Sequence, residues 1–381
     1  MKMCKQIPIT TPYFDERELQ KVKECLDSGW VTQGPMVQEF ESLFRIYQNC
    51  KYSVAVSSCT AALHIAVMAL GLKEDDEVIV PAFTWITSAS CAEYVGARVR
   101  FVDVEKETMN IDPFKIEEAV TKRTKAIVAV HLFGNPARMD EIMTIAEKYQ
   151  LRVIEDCACA IGTIYKGKKV GTIGDVGCFS FHPRKAITTG EGGMCSTNDE
   201  KIYEKLLQYR NHGASAIRRG DEYGKPYYMG IYDDIGYNLR LSDIQAAVGV
   251  AQFEKIDRLL QNRNDSAQYY IEKLSNINKI ILPTSDSDCR HMYQSFVILI
   301  KSGDREQRNF IMDKMQMEGI QTRPGTIAIT RTEYNRTKYG LRIGDYPGAE
   351  FCEDASITLP IYPFMERREQ DRIIELLREN I

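Results

Sequence analysis

The sequence contains no apolar run of the ~18–20 residues that a membrane-spanning helix needs, which excludes an α-helical membrane protein. It has no hydrophobic signal core near its start. Met1-Lys2-Met3-Cys4-Lys5-Gln6 leads into a polar segment, so export is not expected. It has no surplus of positive charge either. Forty-nine Lys and Arg stand against 53 Asp and Glu, giving a formal net charge of −4 with no long block of one sign. Electrostatic binders of nucleic acid carry a basic patch or excess, so neither nucleic acid nor membrane is an expected partner. There is no internal repeat and no low-complexity segment. Beside the Cys157-x-Cys159 pair, no second cysteine pair or histidine cluster stands at zinc spacing. These two are read as small buried residues at a strand end, and no metal is expected. The eleven cysteines are scattered and odd in number. A chain of 381 residues needs no disulfide staples, so a reducing, cytoplasmic setting is expected.

What remains is ordinary globular composition, 44% apolar and 27% charged. The first two-thirds alternates strand and helix signals. Met36, Phe40, Leu43, Phe44 and Tyr47 recur at helical spacing. Ser53–Val56 is a short apolar run, and Thr60–Leu70 reads as a buried helix. β-rich runs follow at Val78–Val80, Val99–Val104, Ala126–Phe133, Arg152–Asp156 and Cys178–Phe181, with a helix over Met139–Tyr149. Such alternation predicts right-handed βαβ crossovers and a mostly parallel sheet covered on both faces. Ligands of these sheets gather at the carboxyl ends of the strands. From about Ser242 the pattern changes. Ile244–Asn262 reads as one long connecting helix, followed by a strand at Gln294–Ile300 and helices at Arg305–Glu318 and Arg367–Asn380. The expected division is a large α/β domain over 1–256, with an N-terminal arm, and a smaller α+β domain over 257–381.

Four segments at strand ends carry chemistry. In Ser180-Phe181-His182-Pro183-Arg184-Lys185, followed by Thr188-Thr189-Gly190-Glu191-Gly192-Gly193, a lysine sits just past a strand and glycines crowd after it. A lysine placed so can attack a carbonyl as a free amine. Twenty-nine residues earlier, Asp156 closes an apolar β run, where an acid is costly to bury without a partner. Read alone, it is a helix cap. Read with Lys185, it matches what pyridoxal 5′-phosphate needs: a carboxylate for the pyridine nitrogen and a lysine for the Schiff base. Ser57-Ser58-Cys59-Thr60-Ala61 leads into a helix N-terminus, which is either a capped start or a phosphate site. Hydroxyls of Thr60 and Ser180 can add bonds there. Trp85, in Pro81-Ala82-Phe83-Thr84-Trp85, either stacks on a flat ring or fills the core.

These landmarks resemble the DegT/DnrJ/EryC1/StrS family of pyridoxal-phosphate-dependent sugar aminotransferases, over roughly Ile7 to Pro363. Ser28-Gly29-Trp30 with Gly34, His131-Leu132-Phe133-Gly134 and Gly236-Tyr237-Asn238-Leu239-Arg240-Leu241 belong to the same likeness. The resemblance implies the aspartate-aminotransferase-like fold (fold type I) and a homodimer sharing two active sites. By motif position it implies that Lys185 forms the Schiff base and Asp156 pairs with the ring nitrogen. Thr60, Ala61 and Ser180 hold the phosphate, Trp85 covers the ring, and Asn238 reaches the phosphate in the partner subunit. It implies transfer of an amino group from L-glutamate, leaving 2-oxoglutarate, to a nucleotide-diphosphate keto sugar. A 4-keto-6-deoxyhexose of a surface-glycan pathway is the leading expectation. The alternatives are a keto-cyclitol or other non-nucleotide ketone, and a regulatory protein that only binds. Sugar 3-dehydratases of the family carry histidine in place of the lysine.

Two departures stand out. Cys59 takes the place of a glycine in the phosphate turn, so that turn must avoid positive φ or be strained. Cys159 stands where many relatives have a glutamine that contacts the cofactor's phenolic oxygen, and a thiol is a poor donor. For the substrate, Arg323 is expected to face the site. His182 either touches the sugar or satisfies a backbone group. Arg218 and Arg219 either clamp the diphosphate or lie in a solvated loop.

Overall fold

The computed structural model describes residues 6–215 and 231–381. Its main sheet has seven strands, in the spatial order Tyr52–Val56, Gly193–Thr197, Val176–Ser180, Arg152–Cys157, Thr124–Val130, Glu77–Pro81 and Arg98–Val102. Gly193–Thr197 is antiparallel to both neighbours, and the other four pairings are parallel. Six strands therefore run one way. Their carboxyl ends, and the start of the reversed strand, share one edge.

Alternation along the strands explains why both faces are covered. Val54, Val56, Val78 and Val80 point into one apolar layer, with the helices Cys59–Ala69 and Glu200–Arg210. Ala55 and Ile79 point into the other, with Pro35–Gln48, Met139–Tyr149 and Asp243–Phe253. Side chains of successive strand residues face opposite ways, so a strand buried on both sides reads as a continuous apolar run. A three-stranded antiparallel sheet, Ile280–Ile281, Phe296–Ile300 and Ser356–Leu359, forms a third core with the helices Arg305–Met317 and Arg367–Asn380. Ile7 joins that core through a bridge to Ile320.

Two expectations are corrected. Ile244–Asn262 is not one helix. Asp243–Phe253 ends and Ile256–Leu274 begins across Glu254-Lys255. Tertiary ion pairs account for the break: Lys255 reaches Asp15 and Glu18 at 2.7 and 2.8 Å, and Glu254 reaches Arg17 at 2.6 Å. The second helix spans two cores, with Leu259 and Leu260 in one and Tyr270 and Leu274 in the other. The strand Gly193–Thr197, absent from the sequence reading, is the second correction. Among the described residues no helix is long and apolar enough to cross a membrane.

Candidate active site

The lysine and the acid meet at the shared edge of the main sheet. Asp156 lies in Arg152–Cys157 and pairs in register with Cys178 of the next strand. Its side chain is buried, and both oxygens are engaged. Ser88 donates from Oγ to Oδ2 at 2.7 Å, and the Ala158 amide donates to Oδ1 at 3.1 Å. Ser88 is itself 3.0 Å from the Thr84 hydroxyl. A buried carboxylate needs such donors, because desolvation otherwise disfavours its charge.

The residue before it, Glu155, points to the opposite face and locks the strand end. It accepts from the amides of Gly171, Ile173 and Gly174 at 2.7, 2.8 and 2.6 Å, and lies 2.9 Å from His131 Nε2. His131 Nδ1 accepts from the Ala137 amide, so Nε2 carries the proton and donates. Burial alone would raise the Glu155 pKa. The bonds from His131 and the amides outweigh it, and the pKa is lowered. His131, Glu155 and Cys157 bring possible metal donors close together, but the glutamate is already occupied as a structural tie.

Lys185 follows the strand Val176–Ser180, and its backbone amide is bonded to the His182 carbonyl at 2.8 Å. Its Nζ donates to Cys159 Sγ at 3.2 Å. The thiol, standing where many relatives have a glutamine, thus accepts from the lysine. The Thr188–Gly193 loop is self-braced. Thr188 donates from Oγ1 to Phe181 O at 2.7 Å, and Thr189 donates from Oγ1 to Glu191 O at 2.8 Å.

The third element adjoins these two. Ser58 caps the helix Cys59–Ala69 by accepting from the Ala61 amide. Cys59 is the first helical residue and is not among the positive-φ positions, so the turn accommodates it without strain. Burial pushes its thiol pKa well above the ordinary value; Asp156 adds to the rise, and Lys185 opposes it. Gly193, the register partner of Ser180, faces this turn closely. A Cβ there would stand 2.4 Å from the Ser58 carbonyl and 2.7 Å from the Cys59 amide. Only glycine allows this approach.

The remaining predicted residues lie around the rim. Trp85 follows the short strand Phe83–Thr84 and is 59% exposed. Arg323 is half-buried and held by its backbone, which accepts from the Thr358 amide at 2.7 Å. Its Nε is buried without a hydrogen-bond partner among the described residues. Burial lowers its pKa, and nearby Arg184 lowers it further. His182 is half-buried. Its Nδ1 accepts from the Arg184 amide at 3.2 Å, which satisfies a backbone group, and Nε2 stands 4.0 Å from Glu191. Burial lowers the His182 pKa. Asn238 is exposed and bridges Asn211, beside Leu239, whose carbonyl accepts from the Ser57 amide at 2.9 Å. Arg218 and Arg219 lie outside the described residues.

Sequence reasoning missed Ser88 and Gln294. Gln294 is buried and donates from Nε2 to the Arg184 carbonyl at 2.7 Å, bracing the lysine loop. A serine in a short helix and a glutamine before a strand carry no motif. The donor set fits pyridoxal 5′-phosphate. It offers an amine, a buried carboxylate of the kind that would pair with a ring N–H, and a helix N-terminus beside a glycine cradle that would suit a phosphate.

Comparison with known proteins agrees. The DegT/DnrJ/EryC1/StrS aminotransferase family model matches residues 12–378. GDP-perosamine synthase of Escherichia coli O157:H7 is 38% identical over 379 residues, covering 98% of each chain. The spore coat polysaccharide biosynthesis protein SpsC of Bacillus subtilis is 36% identical, covering 98% of this chain and 96% of its own. The putative sugar aminotransferase Spr1654 of Streptococcus pneumoniae, in its PMP form, superposes with a TM-score of 0.93 at 27% identity, covering 98% of each chain. The chain belongs to the DegT/DnrJ/EryC1/StrS family and is a pyridoxal-phosphate-dependent sugar aminotransferase.

Proposed function

We propose that the protein transfers the amino group of L-glutamate to the ketone of a nucleotide-diphosphate keto sugar, with a 4-keto-6-deoxyhexose as the first candidate. The observation that carries this reading is the convergence of Lys185, buried Asp156 and the Ser57–Ala61 turn on one sheet edge. The likeness to a GDP-perosamine synthase supports a nucleotide-linked sugar, and the likeness to a spore coat polysaccharide protein supports a surface-glycan product.

The bound cofactor supplies an electron sink that stabilises negative charge at the carbon losing its proton. The chain does the rest. Asp156, fixed by Ser88 and Ala158, would pair with the protonated ring nitrogen. The N-terminal turn of the helix Cys59–Ala69 at Thr60 and Ala61, with the Ser180 hydroxyl, would hold the phosphate. Trp85 would cover the ring, and Lys185 Nζ would hold the cofactor between turnovers. As a free amine, Lys185 takes the proton from the donor's Cα, and in the second half-reaction it returns a proton to the sugar carbon receiving the amine. A histidine at this place would serve a dehydratase; the lysine favours transfer. Arg323, a guanidinium with no carboxylate partner among the described residues, is suited to an anionic group of a substrate. Asn238, exposed beside the phosphate turn, reaches the second site of a homodimer. Residues 1–256 form the cofactor domain on this reading, and residues 257–381 the small one.

The test is a panel of nucleotide keto sugars and keto-cyclitols added to protein first converted to its amine form with L-glutamate. The expected result is that one nucleotide keto sugar restores the aldehyde absorbance. Restoration by a cyclitol alone would replace this substrate class.

A further inference from the structure

The chain has two tryptophans, and both are more than half exposed. Trp85 has a place over the cofactor ring. Trp30, 53% exposed, has no part in the cofactor chemistry. Its ring is nonetheless held. The indole lies against Gly34, where a Cβ would stand 1.9 Å from Nε1 and 2.2 Å from Cδ1. Nε1–H donates to the Gln33 carbonyl at 3.1 Å. The loop beneath is pinned by Asp243, a buried carboxylate accepting from the amides of Gly34, Met36 and Val37 at 2.7, 3.0 and 3.0 Å. The Asp243 amide in turn donates to Thr32 O at 3.1 Å. The indole therefore has one flank resting on backbone, its N–H satisfied and the remainder open to solvent.

Its position relates it to the active site. Asp243 opens the helix Asp243–Phe253, and Gln245 on the first turn of that helix donates to Glu191 O of the lysine loop at 2.7 Å. The Glu191 carboxylate stands 4.0 Å from His182, three residues before Lys185. The pinned tryptophan is thus tied, through Asp243 and Gln245, to the loop that follows the reacting lysine.

We propose that Trp30 is the stacking platform for the nucleobase of the nucleotide-linked keto sugar. The proposal rests on the substrate class given under Proposed function. A fixed aromatic ring stacks on any base and loses little freedom in doing so. Trp30 accordingly sets how tightly the nucleotide handle is held, while the identity of the base is read elsewhere.

The experiment uses the cofactor-loaded protein and its Trp30→Ala, Trp30→Leu and Trp30→Phe forms. GDP, UDP and dTDP are titrated against tryptophan fluorescence in the wild type, and their Kd values are measured by calorimetry in all four proteins. KM for the accepted keto sugar and for L-glutamate, and the sedimentation coefficient, are recorded for each. The expected result is that one nucleoside diphosphate quenches the wild type, and that Trp30→Ala and Trp30→Leu weaken it by about tenfold. KM for the sugar nucleotide should rise equally while KM for glutamate stays within about twofold, and Trp30→Phe should recover most of the loss. Unchanged nucleotide affinity in Trp30→Ala overturns the platform and leaves the substrate class standing. Dissociation of the assembly in Trp30→Ala also overturns it, marking Trp30 as a contact between protomers. If no nucleoside diphosphate binds the wild type while a non-nucleotide ketone is aminated, the substrate class itself has failed and the platform falls with it.

Discussion

The cofactor edge of the sheet and the rim around it are finished in opposite ways. At the edge, polar groups are matched within the chain: Asp156 by Ser88 and Ala158, Glu155 by His131 and three amides, Lys185 by Cys159. The rim is left open. Trp30, Trp85 and Asn238 are exposed, although the Trp30 N–H is bonded to Gln33 O, and among the described residues Arg323 keeps a buried Nε with no partner. On the proposed function, a group that must hold its charge and direction through every turnover is fixed by its own chain, and a group that meets a ligand or a second protomer keeps open surface until that partner arrives. Loss of an edge group should cost both chemistry and stability, and loss of a rim group should cost binding alone.

The largest effect is expected at Lys185. Lys185→Ala should lower steady-state turnover by ~10⁴-fold or more, the upper end for an acid–base group, while the protein folds and retains cofactor by absorbance after gel filtration. Multiple-turnover amination by this variant would remove Lys185 from the mechanism. Asp156→Asn should follow, with kcat reduced on the order of 10²-fold, the scale of ~3 kcal/mol of lost charge stabilisation. A near-normal kcat would reduce Asp156 to a structural cap.

Ser88→Ala tests the edge more gently. It removes one hydrogen bond to a buried charge, worth ~1.5–3 kcal/mol. Calorimetry should show a lower Tm, and kcat should fall by roughly tenfold. Arg323→Ala is its counterpart on the rim. No ion pair is lost, because none exists among the described residues. Tm should hold or rise, since a half-buried guanidinium without a counter-ion is removed. KM for one anionic substrate should rise by about tenfold. If Arg323→Ala destabilises the protein as much as Ser88→Ala, the distinction between edge and rim does not hold.

The edge was also far more legible in the sequence. Strands buried on both faces announce themselves as apolar runs, as Val78–Val80 and Arg152–Asp156 do. Lys185 and Asp156 are each ordinary when read alone, a solvated lysine and a helix cap; their order, spacing and shared placement at strand ends are what made them legible. Gly193–Thr197 escaped because Gly-Met-Cys-Ser-Thr has weak strand preference. It is a strand because two strands flank it in register. The helix break at Glu254-Lys255 escaped because its cause, the acids of the helix Glu16–Asp27 and its cap, lies more than two hundred residues away. Ser88 and Gln294 escaped for the same reason: their partners are spatial neighbours, and nothing local marks them. The family resemblance supplied the expectation that Asn238 completes a site shared across a dimer, which periodicity and composition do not reach.

The most direct test of the central claim follows the nitrogen. L-glutamate labelled with ¹⁵N is given to the cofactor-loaded protein together with the keto sugar nucleotide that the panel identifies, and the sugar product is analysed by mass spectrometry. The account predicts an amino sugar carrying the label, formed in step with 2-oxoglutarate, with none formed by Lys185→Ala. A product that has lost a hydroxyl and gained no nitrogen, or an unlabelled sugar beside untouched glutamate, would contradict it.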